Sequence, residues 1–209
     1  TRSAGTKMKF ELTSETITKF GVKLHRIRAL ITFGSVKAGD AGGFMERAEN
    51  LSQDGNAWVS GDAWVSGDAR VSGDAQVYGD AQVYGNAWVS GNAQVYGDAQ
   101  VYGNAQVSGN AQVYGNAWVS GDAQVYGNAQ VSPIVISGLT YPVTITDKHM
   151  QIGCEFHLLS EWQVFDDERI ARMDGCSSRR FWKAWKEPLL AIARAGERDF
   201  TPATEKQAA

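Results

Sequence analysis

Along residues 55–132 the apolar and polar positions repeat every six residues, thirteen times without a gap, as Gly-(Asp/Asn)-Ala-x-Val-(Ser/Tyr). The first unit is Gly55-Asn56-Ala57-Trp58-Val59-Ser60 and the last is Gly127-Asn128-Ala129-Gln130-Val131-Ser132. Val, flanked by outward neighbours, points inward from a short strand, and Ala two residues earlier shares its side of the pleat. Gly followed by Asn or Asp supplies the residue types that best tolerate a tight turn. A turn every six residues closes a prism with three flat sides, so each residue should stack on the one eighteen positions later. Val59, Val77, Val95, Val113 and Val131 then form one internal column. A little over four coils, rising ~4.8 Å each, make a rod of roughly 20 Å.

The same stacking sorts the outward positions into three faces. The first carries Trp58, Gln76, Gln94, Gln112 and Gln130, with Tyr78, Tyr96 and Tyr114 beside them. The second carries Trp64, Gln82, Gln100 and Trp118, with Tyr84 and Tyr102. The third carries Arg70, Trp88, Gln106 and Gln124, with Ser72, Ser90, Ser108 and Tyr126. Two readings of the Tyr and Gln rows stand side by side. In one they are ladders that stabilise flat parallel strands. In the other the first two faces are interface surfaces and the serine face is solvated.

Outside the repeat the periodicity changes. Met8–Leu12 and Val22–Leu24 alternate as edge strands do, with Phe20-Gly21 as the turn between them, and Gly39–Gly43 is too glycine-rich for anything but a loop. That glycine cluster lacks both a P-loop lysine pattern and dinucleotide-binding spacing. After Val131 the pattern decays, because Pro133 occupies the next Gly slot and cannot donate to a ladder. Val143–Thr146 and Met150–Cys154 read as two closing strands. Three helices follow, opened by a capping box at Ser160-Glu161-Trp162-Gln163, by Asp166 and by Ser178. The second ends at Gly175. The third carries Phe181, Trp182, Trp185, Leu189 and Ile192 on its apolar side and should kink at Pro188.

The expected class is therefore mainly β: a left-handed parallel β-helix of three hexapeptides per coil and about four coils, with a small β N-terminal cap and a β-plus-helical C-terminal cap. The expected map is a leader foreign to the fold or disordered over 1–7, the N-terminal cap over 8–54, the β-helix over 55–132, the C-terminal cap over 133–196 and a disordered polar tail over 197–209. Met8 reads as the natural first residue.

Charge then narrows the partners. The chain of 209 residues carries 20 Lys and Arg against 23 Asp and Glu. The excess of acid sits in the repeat block, where Arg70 stands alone against Asp62, Asp68, Asp74, Asp80, Asp98 and Asp122. An acidic solenoid argues against direct nucleic-acid binding, which needs a basic surface. Asp62, Asp80 and Asp98 fall on one edge, which reads as drift between Asp and Asn at turns, as a cation-binding edge, or as an acidic strip facing a basic partner. No run of eighteen apolar residues offers a membrane span. With two cysteines and no apolar leader core, a cytoplasmic setting is expected.

Candidate chemistry is sparse. No histidine lies between His25 and His149, so the coils lack the usual general base. Cys154-x-x-His157 has plausible zinc spacing, but the other ligands available, His149 and Cys176, are isolated, and no metal or cofactor is expected. The repeats contain no Thr for the flat rows of an ice-binding surface, and six Asp over four coils is thin for a DNA mimic.

The spacing of small residue, aliphatic and turn over these 78 residues resembles the hexapeptide-repeat left-handed β-helix family. Most enzymes of that family are acyltransferases with a catalytic His on a coil, and no position here matches it. Met8–Leu12 with Phe20-Gly21-Val22, Arg26–Ala29, Gly39-Asp40-x-Gly42-Gly43 and the closing Ile152-Gly153-Cys154 before Glu161-Trp162 resemble the ends of repeat proteins encoded by phages and prophages. That resemblance implies a non-enzymatic scaffold in the bacterial host cell that engages a host protein, for instance to block an antiviral defence. An acidic DNA-mimic inhibitor and an acyltransferase lacking its His are the alternatives. The binding candidates are Tyr78, Tyr96, Tyr114, Tyr84, Tyr102, Trp64 and Trp118, then the Asp62, Asp80 and Asp98 edge, and Phe181, Trp182 and Trp185. The last three are more aromatic surface than a small helical cap should bury alone, so a homodimer or homotrimer is expected.

Overall fold

The computed structural model describes residues 8–125 and 133–202, which fall into two compact units, 1–132 and 133–209. The leader, Tyr126, the last hexad with Val131, and residues 203–209 lie outside the described residues.

The first unit begins with an antiparallel hairpin, β1 (Phe10–Lys19) and β2 (Val22–Ala29), turning at Phe20-Gly21, and β3 (Ala41–Met45) pairs with β2. A 3₁₀ turn (Ala48–Asn50) leads into the repeats. Each described hexad then contributes one two-residue strand, β4 (Trp58–Val59) through β15 (Gln124–Val125), in chain order. Pairing is parallel and displaced by eighteen residues throughout: Gln94 aligns with Gln76 and Gln112, and Val95 with Val77 and Val113. Among the described residues the three faces carry the rows expected of them. The chain is thus mainly β, a parallel solenoid whose Ala and Val columns are almost fully buried. Each enclosed Val contributes about 1.5–3 kcal/mol before chain entropy is counted. Corner glycines have positive φ, and they also sit where coils touch. A Cβ on Gly91 (φ +66°) would lie 2.9 Å from the amide nitrogen of Gly109 one coil on.

The amides flanking each strand donate to the carbonyls of the coil after it. The N–H of Trp58 donates to the carbonyl of Ala75 (3.0 Å), that of Gln76 to Ala93 (2.9 Å), and so along the rod. The first coil therefore presents a row of carbonyls with no coil before it, and buried backbone acceptors require partners. The N-terminal segment supplies them. Lys9 Nζ donates to the carbonyls of Ala57 (3.0 Å) and Gly55 (3.4 Å), and the amides of Phe44 and Glu46 donate to Ala63 (2.9 Å) and Val65 (3.1 Å). Asn50 Nδ2 donates to Gly67 (3.0 Å) and Ala69 (2.8 Å), and Ser52 N–H to Val71 (2.9 Å).

This cap corrects the loop expected at Gly39–Gly43. Gly42 and Gly43 lie inside β3, which runs parallel to Trp64–Val65. A Cβ on Gly42 would come within 2.4 Å of Ile27, and one on Gly43 within 2.4 Å of the Ala63 carbonyl. The glycines are there for close backbone approach, a recognised use of Gly within a strand.

The second unit is a four-stranded antiparallel meander, not two strands: β16 (Ile134–Ile136), β17 (Val143–Ile145), β18 (His149–Ile152) and β19 (Glu155–Leu158). α1 (Leu159–Val164) starts two residues earlier than a cap at Ser160 would place it. The residue that reaches back is Glu161, not the Gln163 of the expected box, and it accepts from the Leu158 amide (2.9 Å). α2 (Asp167–Ala195) is capped by Asp166, whose carboxylate accepts from the Arg169 amide (2.7 Å), and it breaks at Asp174-Gly175. Ser178 does not cap the far side of that break. Its buried hydroxyl lies 2.7 Å from the Ile170 carbonyl and 3.0 Å from that of Gly175, stitching the break together. Residues 197–202 are not a free tail: Phe200 packs on the unit's core, and Asp199 pairs with Lys148 (3.0 Å). The Lys148 and Thr201 bonds hold the Asp199 carboxyl at about 2, with the Thr201 bonds the larger cause.

Candidate binding faces and a cavity in the C-terminal unit

The tyrosine rows form stacks. Tyr78 lies flat on Tyr96 (4.9 Å, 1°) and Tyr96 on Tyr114 (5.2 Å, 14°), while Tyr84 lies on Tyr102 (4.9 Å, 2°). The hydroxyls of Tyr78, Tyr84 and Tyr96 each donate to the Gln one coil on, Gln94, Gln100 and Gln112, at 3.3 Å. All five rings are half-buried. Burial, and after it the neighbouring phenol, pushes Tyr78 and Tyr84 above the ordinary tyrosine pKa. The rows therefore serve as ladders that flatten the sheets, and they still present ring edges and Gln amides outward.

Two of the solenoid's tryptophans are not free surface. Trp64 is buried with Leu24 and Phe44 beneath the N-terminal hairpin, where Phe20 and Tyr84 flank it, and Trp58 is buried against Phe33. Sequence placed both on outer faces correctly. It carried no sign that the cap lies over the first coil. Trp118, at the other end of the Trp64 face, is 58% exposed, and Trp88 on the third face is 50% exposed with its indole N–H on Ser72 (3.1 Å).

Asp62, Asp80 and Asp98 are exposed along one edge. Asp62 and Asp80 face a groove shared with Glu15, Lys19 and Arg26 of the hairpin, so both signs of charge meet there. Arg26 is already held by Glu15 (2.7 Å) and the Gly42 carbonyl (2.9 Å). The other two edges carry Asn ladders, for example Asn92 to Asn110 (2.9 Å) and Asn104 to Asp122 (2.9 Å).

The weak metal candidates are not brought together. Among the described residues no three His, Cys, Asp or Glu side chains gather as a metal centre. His157 bonds Glu155 (2.9 Å) and packs edge-on against Trp162 and Phe165. His149 stacks on Phe156 (4.6 Å), and burial lowers its pKa. Cys154 and Cys176 are exposed free thiols.

The C-terminal aromatics require the largest correction. Phe181 (6% exposed) and Trp182 (4%) are core residues packed with Val143, Ile145, Met150 and Trp162, and only Trp185, at 37%, faces outward. Ile134 and Ile136 of β16, a strand the sequence reading lacked, add to the apolar cover. Beside this core lies a cavity of about 170 Å³ that sequence gave no means of finding, because its walls come from β18, the β18–β19 turn, α1 and both halves of α2. Its floor is Ile152, Trp162, Ile170, Phe181 and Trp182, and Tyr141, Cys154 and Asp174 stand at its mouth.

No described helix is long and apolar enough to cross a membrane. Comparison with curated proteins gives no match. The YdcK beta-solenoid repeat family matches within the coils, over residues 63–79, 75–91, 81–97, 105–121 and 111–127, so the chain carries the repeat of a β-solenoid family.

Proposed function

We propose that this chain is a non-enzymatic binding scaffold that engages its partner through protein–protein contacts on the solenoid, and that the solenoid is of the left-handed hexapeptide type. The observation that carries the reading is the face running from Trp64 to Trp118. Its N-terminal end is sealed under the cap, its middle is a rigid Tyr84–Tyr102 stack, and Trp118 stands exposed at its far end. Trp and Tyr on a pre-ordered surface are the residue types that most often anchor an interface. The absence of histidine from the coils supports a role without acid–base chemistry. The resemblance of the chain's ends to phage and prophage repeat proteins leads to a host protein as partner, in the cytoplasm of a bacterial cell, with block of an antiviral defence as the outcome. Self-association as a dimer or trimer through the same exposed tryptophan face fits the reading.

The test is expression in a bacterium carrying a defined defence system, with phage plating and copurification read together. Wild type should restore plating and retain a stoichiometric host protein. Trp118→Ala should lose the partner by about tenfold or more, the cost of one interface anchor. Unchanged plating on every defence tested, with no retained protein, overturns the proposal. Light scattering reads self-association directly: a mass of 22.7 kDa means a monomer.

A further inference from the structure

Where the third face of the solenoid meets the N-terminal cap there is a groove of about 580 Å³, within the roughly 300–1,000 Å³ of small-molecule pockets. Its base is apolar, with Leu51 and Val71 bridged as neighbouring rungs and both buried. Trp88 lines it from the next coil, 50% exposed, with its indole N–H donated to Ser72 (3.1 Å). That bond holds the ring in place, so a ligand lying on it pays little to order it. Polar groups line the rest. Gln53 accepts the Lys9 amide through its side-chain oxygen (2.7 Å), which leaves its NH₂ group without a partner among the described residues. Arg70, the one cation of the repeats, and Glu49 are both exposed in the groove, and among the described residues neither side chain has a hydrogen-bond or ion-pair partner. These two charges narrow the ligand. A phosphate or carboxylate drawn to Arg70 would also meet Glu49, and an ammonium drawn to Glu49 would also meet Arg70, so the pair selects for a ligand without net charge. Guanidinium and amide N–H groups donate and the carboxylate only accepts, so the ligand must offer groups that do both, as hydroxyls do. It must also present an apolar side to the indole. A sugar ring meets both demands, because its C–H face carries a slight positive charge that matches the negative face of an aromatic ring.

We propose that this groove binds a neutral hexopyranoside. The C–H face of the sugar lies on Trp88, Arg70 and Gln53 donate to its oxygens, and Glu49 accepts from its hydroxyls. The inference is independent of the face that runs from Trp64 to Trp118.

Calorimetric titration of the full chain tests it with the methyl pyranosides of glucose, galactose, mannose and N-acetylglucosamine, each as both anomers. At least one should bind saturably at one site per chain, and the best and worst should differ by about tenfold or more, because hydroxyls are read by directed hydrogen bonds. Trp88→Gln gives that position the residue that Gln106 and Gln124 supply on the same face, so the coil keeps its repeat. It should weaken the best sugar by about tenfold or more. Arg70→Gln and Glu49→Gln should each weaken it by about tenfold, and they carry the test should Trp88→Gln fail to fold. Glucose 6-phosphate and glucuronic acid should bind no better than methyl glucoside. No saturable heat from any neutral sugar up to ~50 mM, affinity unchanged by Trp88→Gln in a chain whose circular dichroism is that of wild type, or an acidic sugar preferred over its neutral parent overturns the proposal.

Discussion

At position 95 the valine side chain is fully enclosed, with Val77 above it and Val113 below. The column is narrow and holds no polar partner, so Val95→Asp should cost several kcal/mol, as an unpaired buried carboxylate does. Thermal denaturation checks this, and a variant that melts with wild type would remove the eighteen-residue register. Lys9 is the opposite case, a buried cation kept because its ammonium answers two carbonyls. Burial is the main cause that lowers its pKa to about 8, and it outweighs Asp54 and Asp74, which pull the other way. In the unfolded chain the same amine titrates near 10.5. Between those values the unfolded state binds the extra proton, so stability rises with pH from about 8 to 10.5. Below pH 8 the cost of burying the charge is present in full. Chemical denaturation of wild type and Lys9→Met across that window should show wild type gaining on the variant, and a constant gap would mean Lys9 stays protonated in the fold.

Single elements show where local sequence rules held and where packing overrode them. The hexad fixed each solenoid strand to two residues, because the spacing of Ala, Val and turn leaves no other phase that buries both. The helix start at Asp166 was equally legible, since a carboxylate at that point answers a free amide wherever the helix lies. β3 was not, because a glycine pair signals a loop until a second backbone is known to press against it. The break in α2 is intermediate. Gly175 was read as a helix end, and its conformation (φ +58°, ψ −132°) is one that residues with a side chain avoid. Gly175→Ala should therefore destabilise the C-terminal unit by about 1–3 kcal/mol, measured as a drop in the denaturant midpoint followed by Trp fluorescence. An unchanged midpoint would mean the break relaxes without cost. The aromatic rows were placed on the correct faces because stacking is arithmetic. Which rings were covered was not legible, since Trp58, Trp64, Phe181 and Trp182 are buried by segments distant in the chain. The cavity is hidden for the same reason.

Across the whole molecule, the eighteen-residue turn makes length and surface pattern separable. Removing residues 79–96 joins Tyr78 to Gly97, deletes one turn, and leaves each later residue on its own face. That variant should fold, shortened by ~4.8 Å, with one tyrosine pair, Tyr114 on Tyr78, left to read in near-ultraviolet circular dichroism. Removing only residues 79–84 also joins equivalent positions, yet it moves every later hexad to the next face, where Tyr96 keeps Tyr114 and Tyr102 comes to lie over Tyr78, so two tyrosine pairs remain. If both deletions gave the same aromatic spectrum, the ladders would not depend on register. The pairing of every turn with the one eighteen residues before it carries a consequence for how such a molecule is made. A chain leaving the ribosome completes the N-terminal cap and first turn before the second exists. Each finished turn then offers an edge of free backbone N–H and C=O groups that the next turn meets as it emerges. Winding can thus keep pace with synthesis, each new turn closing on a surface already in place, with no need to wait for distant parts of the chain.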